Sequence, residues 1–329
     1  MSDATSSSKR KSADQDAPQP LVPLWLPYGD LILDVEATQF RVNRDMLARA
    51  SPVFADMLAV PQPADGPQLD GVPIVHLSGD SVKDWTLVLD MLYDPFKYVE
   101  QVTVEMLAAM LKLGKKYQMD RLSKHAAHYI HIEFPNDRAA YDKLLSEGLS
   151  DTTRIQHQSG IELDLLNLVE SYELKTSFPT LALLCMKQYT IDQLLHNRIR
   201  RDDGARIVLQ RRLKTVIGVA AERIHSHQIS LLEWLDFDDG ATIPCDECLD
   251  VDVCSEARPL MQRTLTQGQS GGNFVLLAPW CDIKEAAADL CAECRDTAEI
   301  EWNLRRQHSW DRLPKIFGFP SWKNLEDGE

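Results

Sequence analysis

The sequence predicts an α+β region, followed by an α-helical extension and a small cysteine-containing region at the end of the 329 residues. Three observations support this prediction. Apolar and polar residues alternate over 39–43, which is typical of a half-buried strand. Apolar residues then recur at helical spacing over 46–58, and again at intervals from 82 to 224. Beyond these helices, two Cys-x-x-Cys pairs lie in a more acidic segment.

The stretch 40–58 predicts a strand that turns directly into two short capped helices. Asn43 or Asp45 is expected to accept hydrogen bonds from the free N–H groups at the start of the first helix. Ser51 is expected to cap the second helix, with Pro52 at its first position. None of these residues forms a catalytic pair, so the stretch indicates a surface built for packing and interaction.

This stretch resembles the signature of the BTB (POZ) domain, and the resemblance extends from about Trp25 to Phe134. The family pattern has an Asp-led apolar strand, a second strand ending Phe-x-Val-His-Arg, and then Leu-x-x-x-Ser-x-x-Phe-x-x-Met/Leu. The matching residues here are Asp30, Phe40, Val42, Arg44, Leu47, Ser51, Phe54 and Met57. Asn43 stands where the family usually has histidine. The resemblance implies a small sheet flanked by helices and a tendency to pair as a homodimer.

The resemblance also implies a role for two charged residues. Asp30 and Arg44 match positions where many BTB domains have a charged pocket near the dimer interface. One interpretation is a pocket that recognises a partner. The other is an internal salt bridge that supports the fold, because a buried pair constrains geometry more than it stabilises.

Four regions are expected along the chain. Residues 1–20 are rich in Ser, Asp, Ala and Pro and have no apolar core, which predicts a disordered tail. Residues 21–134 form the BTB-like domain, 135–235 the helical extension, and 236–329 an acidic, cysteine-containing region. The segment 191–213 and the aromatic end of the chain resemble fungal, basidiomycete-type BTB proteins.

The best candidates for chemistry are two Cys-x-x-Cys pairs. The candidate ligands are Cys245, Cys248, Cys291 and Cys294. Two thiolates of one turn can point at one ion, and two such turns complete the tetrahedron of a structural zinc. The intervening chain would then fold as a hairpin or loop, and Cys254 or Cys281 could replace a ligand. Unrelated buried thiols and a redox pair are the alternative interpretations.

Two other polar segments could bind ligands. The basic run 198–214 could contact phosphate, but no aromatic residues interleave it, so base stacking is not indicated. We expect the basic side chains of this run either to form a solvated face or to form salt bridges with acidic segments. His225 and His227 could ligate a metal, although a solvated pair at a helix end is the expected arrangement.

Composition disfavours several function classes. The net charge of −15 repels the phosphate backbone, so general nucleic-acid binding is disfavoured. No apolar run is long enough to span a bilayer. The odd number of cysteines, seven, and the lack of a secretory signal predict reduced thiols in the cytoplasm or nucleus. No catalytic motif of a hydrolase, nucleotide-binding enzyme or metalloprotease occurs, so we expect no enzyme.

The sequence therefore predicts a non-enzymatic protein–protein interaction module that homodimerises and acts as a scaffold or regulator. A second hypothesis is a substrate adaptor of a cullin-type ubiquitin ligase, a role that the family resemblance implies. Such adaptors often carry an apolar-x-Glu element before the third strand, and residues 58–74 contain no glutamate. A third hypothesis is a zinc-dependent nucleic-acid-binding regulator, against which the acidic charge argues.

Overall fold

The structure is a computed structural model that describes residues 24–60, 66–98, 100–147, 154–236, 242–267 and 276–328. These residues belong to two compact units. The first unit comprises the described residues up to Lys97 together with Lys116–Met119, and the second comprises the described residues from Tyr98 to Lys115 and from Asp120 onward. The tail predicted at 1–20 lies outside the described residues.

A four-stranded sheet forms the centre of the first unit, in the order β2-β1-β4-β3. The strands are β1 (Leu31–Val35), β2 (Thr38–Val42), β3 (Gln68–Leu69) and β4 (Val72–His76). β1 runs antiparallel to β2 and parallel to β4, and β3 is antiparallel to β4. Glu36 and Ala37, both with positive φ, form the two-residue turn that suits the twist of a hairpin. The strand predicted over 39–43 is therefore confirmed as β2, and the small sheet that the BTB resemblance implies is present.

The helices of the first unit are α1 (Arg44–Ala50), α2 (Pro52–Ala59) and α3 (Val82–Tyr93). Ser51 caps α2 as predicted, because its hydroxyl accepts the Phe54 N–H at 3.1 Å. The prediction for α1 is wrong for Asn43, which occupies the N-cap position but whose side chain accepts no helix N–H. The carboxylate of Asp30 accepts the Arg44 N–H instead, at 2.8 Å.

Most of the residues that match the BTB signature lie in the core of the first unit. Buried members are Phe40, Val42, Leu47, Ser51 and Phe54, while Met57 is half-buried. The Phe54 ring packs edge-on against Trp85, with centroids 5.9 Å apart, and lies 5.0 Å from the Tyr117 ring. The Ser51 hydroxyl also donates to the Tyr117 carbonyl at 2.5 Å. The signature therefore specifies packing within this unit.

A buried carboxylate ties this core together. Asp80 has a fully buried side chain that accepts hydrogen bonds from Trp85 Nε1 at 2.9 Å and from the Tyr117 hydroxyl. Lys116 Nζ adds an ion pair at 2.5 Å and also donates to the Ser78 carbonyl. Burial alone would raise the pKa of Asp80, but these donors together lower it below its ordinary value. The carboxylate is therefore charged and fully paired at neutral pH.

The next helices, α4 (Val104–Lys116) and α5 (Asp120–Glu133), lie within the range of the predicted BTB-like domain. The predicted helical extension is confirmed by the helices α6 (Arg138–Glu147), α7 (Ile161–Ser171), α8 (Phe178–Gln188), α9 (Ile191–Leu195) and α10 (Arg211–Leu231). The cysteine-containing region contains α11 (Val251–Gln267), α12 (Trp280–Ile283) and α13 (Ala292–Ile316). Thr103 begins α4 by accepting the Met106 N–H at 3.1 Å. Across the described part of the chain, no helix is both long and apolar enough to cross a membrane.

The aromatic C-terminal end packs within the second unit. Phe317 and Phe319 contact the Phe178 ring, with centroids 5.9 and 5.1 Å away, and Trp322 stacks on Trp310 at 5.1 Å. Earlier in the same helix, Arg306 holds α13 in place. Its guanidinium forms a bidentate ion pair with Asp142 and donates to the Leu277 carbonyl at 3.0 Å. The long helix α13 is therefore a central element of this unit.

Candidate functional site

Asp30 and Arg44 form an ion pair at the surface of the first unit. Arg44 Nε lies 3.0 Å from Asp30 Oδ2, and the two side chains are 44% and 51% exposed. Asp30 sits just before β1 and Arg44 opens α1, so the same carboxylate caps the helix and pairs with its first side chain. An exposed pair of this kind adds only about 0–1 kcal/mol to stability. Both charges therefore remain accessible to a partner.

Large aromatic side chains lie in solvent along the same stretch of chain. Residues 24–26 extend along the outer edge of β2, where Leu26 N donates to the Arg41 carbonyl at 2.9 Å. Trp25 on this edge is half-exposed and Tyr28 is 92% exposed. We call Trp25, Tyr28, Asp30 and Arg44 together the N-terminal patch. Tyr, Trp and Arg are enriched in protein–protein interfaces, so three of the four residues of this patch are of types that such interfaces favour.

Four cysteines of the second unit meet at ion-binding distance. The sulfurs of Cys248, Cys254, Cys291 and Cys294 all lie within 4.8 Å of one another. Cys248 Sγ and Cys291 Sγ are 3.9 Å apart. Tetrahedral Zn–S bonds of about 2.3 Å place neighbouring sulfurs about 3.8 Å apart. The cluster is thus compatible with a structural metal site.

The cluster differs from the predicted ligand set in one member. Cys254 occupies the place in the group of four that we expected Cys245 to take. The reason is that the intervening chain contains α11 where we expected a hairpin or loop, and Cys254 lies in its first turn. Cys245 lies beside the cluster, with its Sγ 3.5 Å from Cys294 Sγ. Cys281 is exposed and carries no contact with these sulfurs among the described residues.

Two helix starts build the cluster. Asp250 opens α11 by accepting the Val253 N–H at 3.1 Å, which positions Cys254. Cys291 caps α13, where its sulfur accepts the Cys294 N–H at 3.5 Å. This N–H and that of Leu249 lower the pKa of Cys291 to about 6, whereas burial raises the pKa of Cys254 and Cys294. Backbone donors aimed at sulfur support thiolate ligands.

The basic run 198–214 forms ion pairs with acidic segments, which is one of its two expected arrangements. Arg201 lies 2.6 Å from Asp164, and Arg212 lies 2.9 Å from Glu170. Two cations of the basic run are therefore already paired with carboxylates. His225 and His227 lie within α10, and His227 is buried, which corrects the expectation of a solvated pair at a helix end. Its Nε2 lies 3.0 Å from the Ser309 hydroxyl of α13.

The buried histidine predicts a pH-dependent stability of the second unit. Burial, followed by the charge of Arg312 and by His308, lowers the pKa of His227 from 6.5 to about 4. The unfolded chain therefore binds the proton first, so stability is fully present above pH 6.5 and falls as the pH drops toward 4. Between pH 7 and pH 5 we expect a loss of about 2 kcal/mol from this group.

Urea unfolding of the intact chain and of His227→Gln at both pH values measures this loss. The variant should be less stable at pH 7, because it loses the contact with Ser309, yet its stability should fall less on acidification. An equal fall in both proteins would contradict the assignment. Proton NMR of the His227 ring would give the pKa directly.

Comparison with known protein families identifies the N-terminal part of the chain. A family model described as BTB/POZ domain matches residues 25–132. The matched range contains the sheet, α1 to α4 and nearly all of α5. It also contains the N-terminal patch, whereas the cysteine cluster lies beyond it. No protein in a search of curated proteins matches the chain.

Proposed function

From the BTB/POZ domain that the chain carries at residues 25–132, we propose that the protein homodimerises through this domain and acts as a scaffold or regulator. A BTB/POZ domain is a protein-interaction module and is not typically catalytic. The N-terminal patch is the proposed contact surface. The observation that carries the proposal is the exposure of Trp25 and Tyr28 beside an accessible, oppositely charged pair.

The charges of the patch suit self-association. A two-fold dimer brings the same patch of both chains together, so a surface must be complementary to itself. Asp30 and Arg44 lie side by side, and a two-fold rotation can place Asp30 of one chain opposite Arg44 of the other. The aromatic side chains would lose their contact with water in that interface, which supplies the hydrophobic part of the binding energy.

Reversing the charge of Arg44 tests this proposal. We expect Arg44→Glu to raise the dissociation constant of the dimer at least tenfold, since each dimer contains the change twice and gains like charges around Asp30. The unfolding free energy should change by no more than about 1 kcal/mol, because the pair is exposed. Sedimentation equilibrium measures the first quantity and urea unfolding the second.

A matched control is available on the same helix. Arg49 is also exposed and lies five residues along α1, roughly 140° around its axis from Arg44. Arg49→Glu makes the same change of charge and should leave the dimer intact. A dissociation constant that is the same for Arg44→Glu and the parent chain would exclude the patch as the interface.

We further propose that the cysteine cluster binds one structural zinc. The support is the meeting of four sulfurs at separations that suit a tetrahedral ion, in a chain whose cysteines are all free thiols. The proposed ligands are Cys248, Cys254, Cys291 and Cys294. Four thiolates leave no open coordination position, so the ion would fix the starts of α11 and α13 and would not activate a substrate.

A further inference from the structure

A polar cleft of about 590 Å³ lies between α10 and α13 in the second unit. Its lining residues are Val219, Glu222, Arg223, Ser226, His227, Ser230, Arg312, Lys315 and Ile316. The α10 residues recur at spacings of three and four, so they form one stripe along that helix. We call this cavity the α10–α13 cleft. Neither the BTB/POZ match nor the cysteine cluster includes it.

Hydrogen bonds between the two helices fix the walls of the cleft. Arg305 Nη1 donates to the Ser230 carbonyl at 3.3 Å, His227 meets Ser309 at 3.0 Å, and Arg223 Nη1 donates to the Ile316 carbonyl at 2.9 Å. Residue numbers fall along α10 as they rise along α13, so the helices are antiparallel. The cleft is therefore a preformed groove with a defined geometry.

The charge of the cleft is opposite to that of the whole protein. Three cations, Arg223, Arg312 and Lys315, line it together with one acid, Glu222, in a chain of net charge −15. Over the described ranges, none of the three cations has a carboxylate oxygen within 4.0 Å, whereas Arg201 and Arg212 are both paired. Unpaired cations that converge in a groove create a local site for an anion.

Neutral donors complete the set of groups that could hold an anion. The hydroxyls of Ser226 and Ser230 lie on the same stripe as Arg223, one and two helical turns further along. Arg223 is anchored, because its Nη1 donates to the Lys315 and Ile316 carbonyls. A guanidinium held in this way loses little freedom when it binds, and its planar fork matches the oxygens of a phosphate.

We propose that the α10–α13 cleft binds a phosphorylated serine or threonine side chain in a segment of a partner protein. A phosphomonoester carries a charge of about −1.5 to −2 and three strong acceptor oxygens, which matches two or three cations and two hydroxyls. The volume exceeds that of a phosphate group alone, and Val219, which is 43% exposed, offers an apolar contact to the residues beside the phosphorylated side chain. A long polyanion would be repelled by the acidic remainder of the chain.

A pair of labelled peptides tests the proposal on the full chain. The two peptides, Gly-Ala-Ser-Val-Ala-Gly with and without phosphate on the serine, differ in nothing else. Fluorescence anisotropy should show binding of the phosphopeptide at least tenfold tighter than that of its unphosphorylated form. The double change Arg312→Gln with Lys315→Gln, at exposed positions, should weaken phosphopeptide binding at least tenfold.

The control variant is Arg211→Gln, which removes one exposed cation from the start of α10, outside the cleft. This variant should bind the phosphopeptide with the same affinity as the parent chain. Equal binding of both peptides, no binding up to millimolar concentration, or unchanged binding in the double variant would each overturn the proposal. Competition by inorganic phosphate as strong as that of the phosphopeptide would overturn the assignment to a protein segment.

The cleft proposal rests on the proposed interaction function in one respect, which is that the partner is a protein. Binding is therefore also measured in the Arg44→Glu variant, whose change lies in the other compact unit. Phosphopeptide binding that persists while the chain is monomeric shows that the cleft acts independently of dimerisation. A dimer that forms without phosphopeptide binding removes the cleft proposal and leaves the proposed function intact.

Discussion

Replacing Asp80 with alanine is expected to destabilise the first unit by about 3–5 kcal/mol, the usual cost of removing one member of a buried charge network. The change would leave the Trp85 N–H, the Tyr117 hydroxyl and the Lys116 ammonium without their common acceptor. A buried donor without a partner costs most of its desolvation energy. Because whole domains are stable by only 5–15 kcal/mol, this loss is large.

Urea unfolding followed by circular dichroism measures the loss at pH 7, where the lowered pKa of Asp80 keeps its carboxylate charged. Asp56→Ala is the matched control, since Asp56 is an exposed aspartate on α2 of the same unit. Its effect should stay within about 0.5 kcal/mol. A loss below about 1 kcal/mol for Asp80→Ala would show that the network contributes little to the fold.

Removing the proposed zinc is expected to have the second large effect. Structural zinc contributes on the order of 10 kcal/mol of binding energy in small zinc domains, and that energy stabilises the folded state. The purified chain should contain about one zinc per molecule, and a strong chelator should lower the melting temperature of the second unit by more than 10 °C, roughly the shift for a loss of several kcal/mol. Elemental analysis and calorimetry measure the two quantities.

Single cysteine variants identify the ligands. Cys254→Ser should lose stoichiometric zinc, because its sulfur belongs to the group of four. Cys281→Ser should retain it, as should Cys245→Ser, whose sulfur lies beside the group. If Cys245→Ser loses the metal and Cys254→Ser keeps it, the ligand set suggested by the two Cys-x-x-Cys pairs is correct and the set seen in the structure is not. Zinc absent from the parent chain would contradict the proposal altogether.

The two short helices of the first unit show how far local sequence determines local structure. Ser51 and Pro52 are adjacent to the helix they begin, so the cap of α2 could be predicted from spacing. The cap of α1 could not, because Asp30 lies 14 residues before the N–H it accepts and reaches it only once β1 and β2 have paired. Neighbouring residues carry no signal for such a contact.

The cysteine cluster also combines residues that neighbouring sequence identifies with one that only the folded chain brings close. Cys291 and Cys294 were recognisable because both lie in one turn, at the start of α13. Cys254 has no cysteine partner at turn spacing, and it joins the cluster because α11 occupies the stretch that we expected to be a loop. The α10–α13 cleft could not be predicted from neighbouring residues either, because Arg223 and Lys315 are 92 residues apart in sequence.

Native mass spectrometry of the full chain at micromolar concentration tests the central claim, self-association through the BTB/POZ domain, most directly. The proposal predicts a species of twice the 37.3 kDa chain mass, which Arg44→Glu converts to the single-chain mass and Arg49→Glu does not. A single 37.3 kDa species throughout the micromolar range would contradict it.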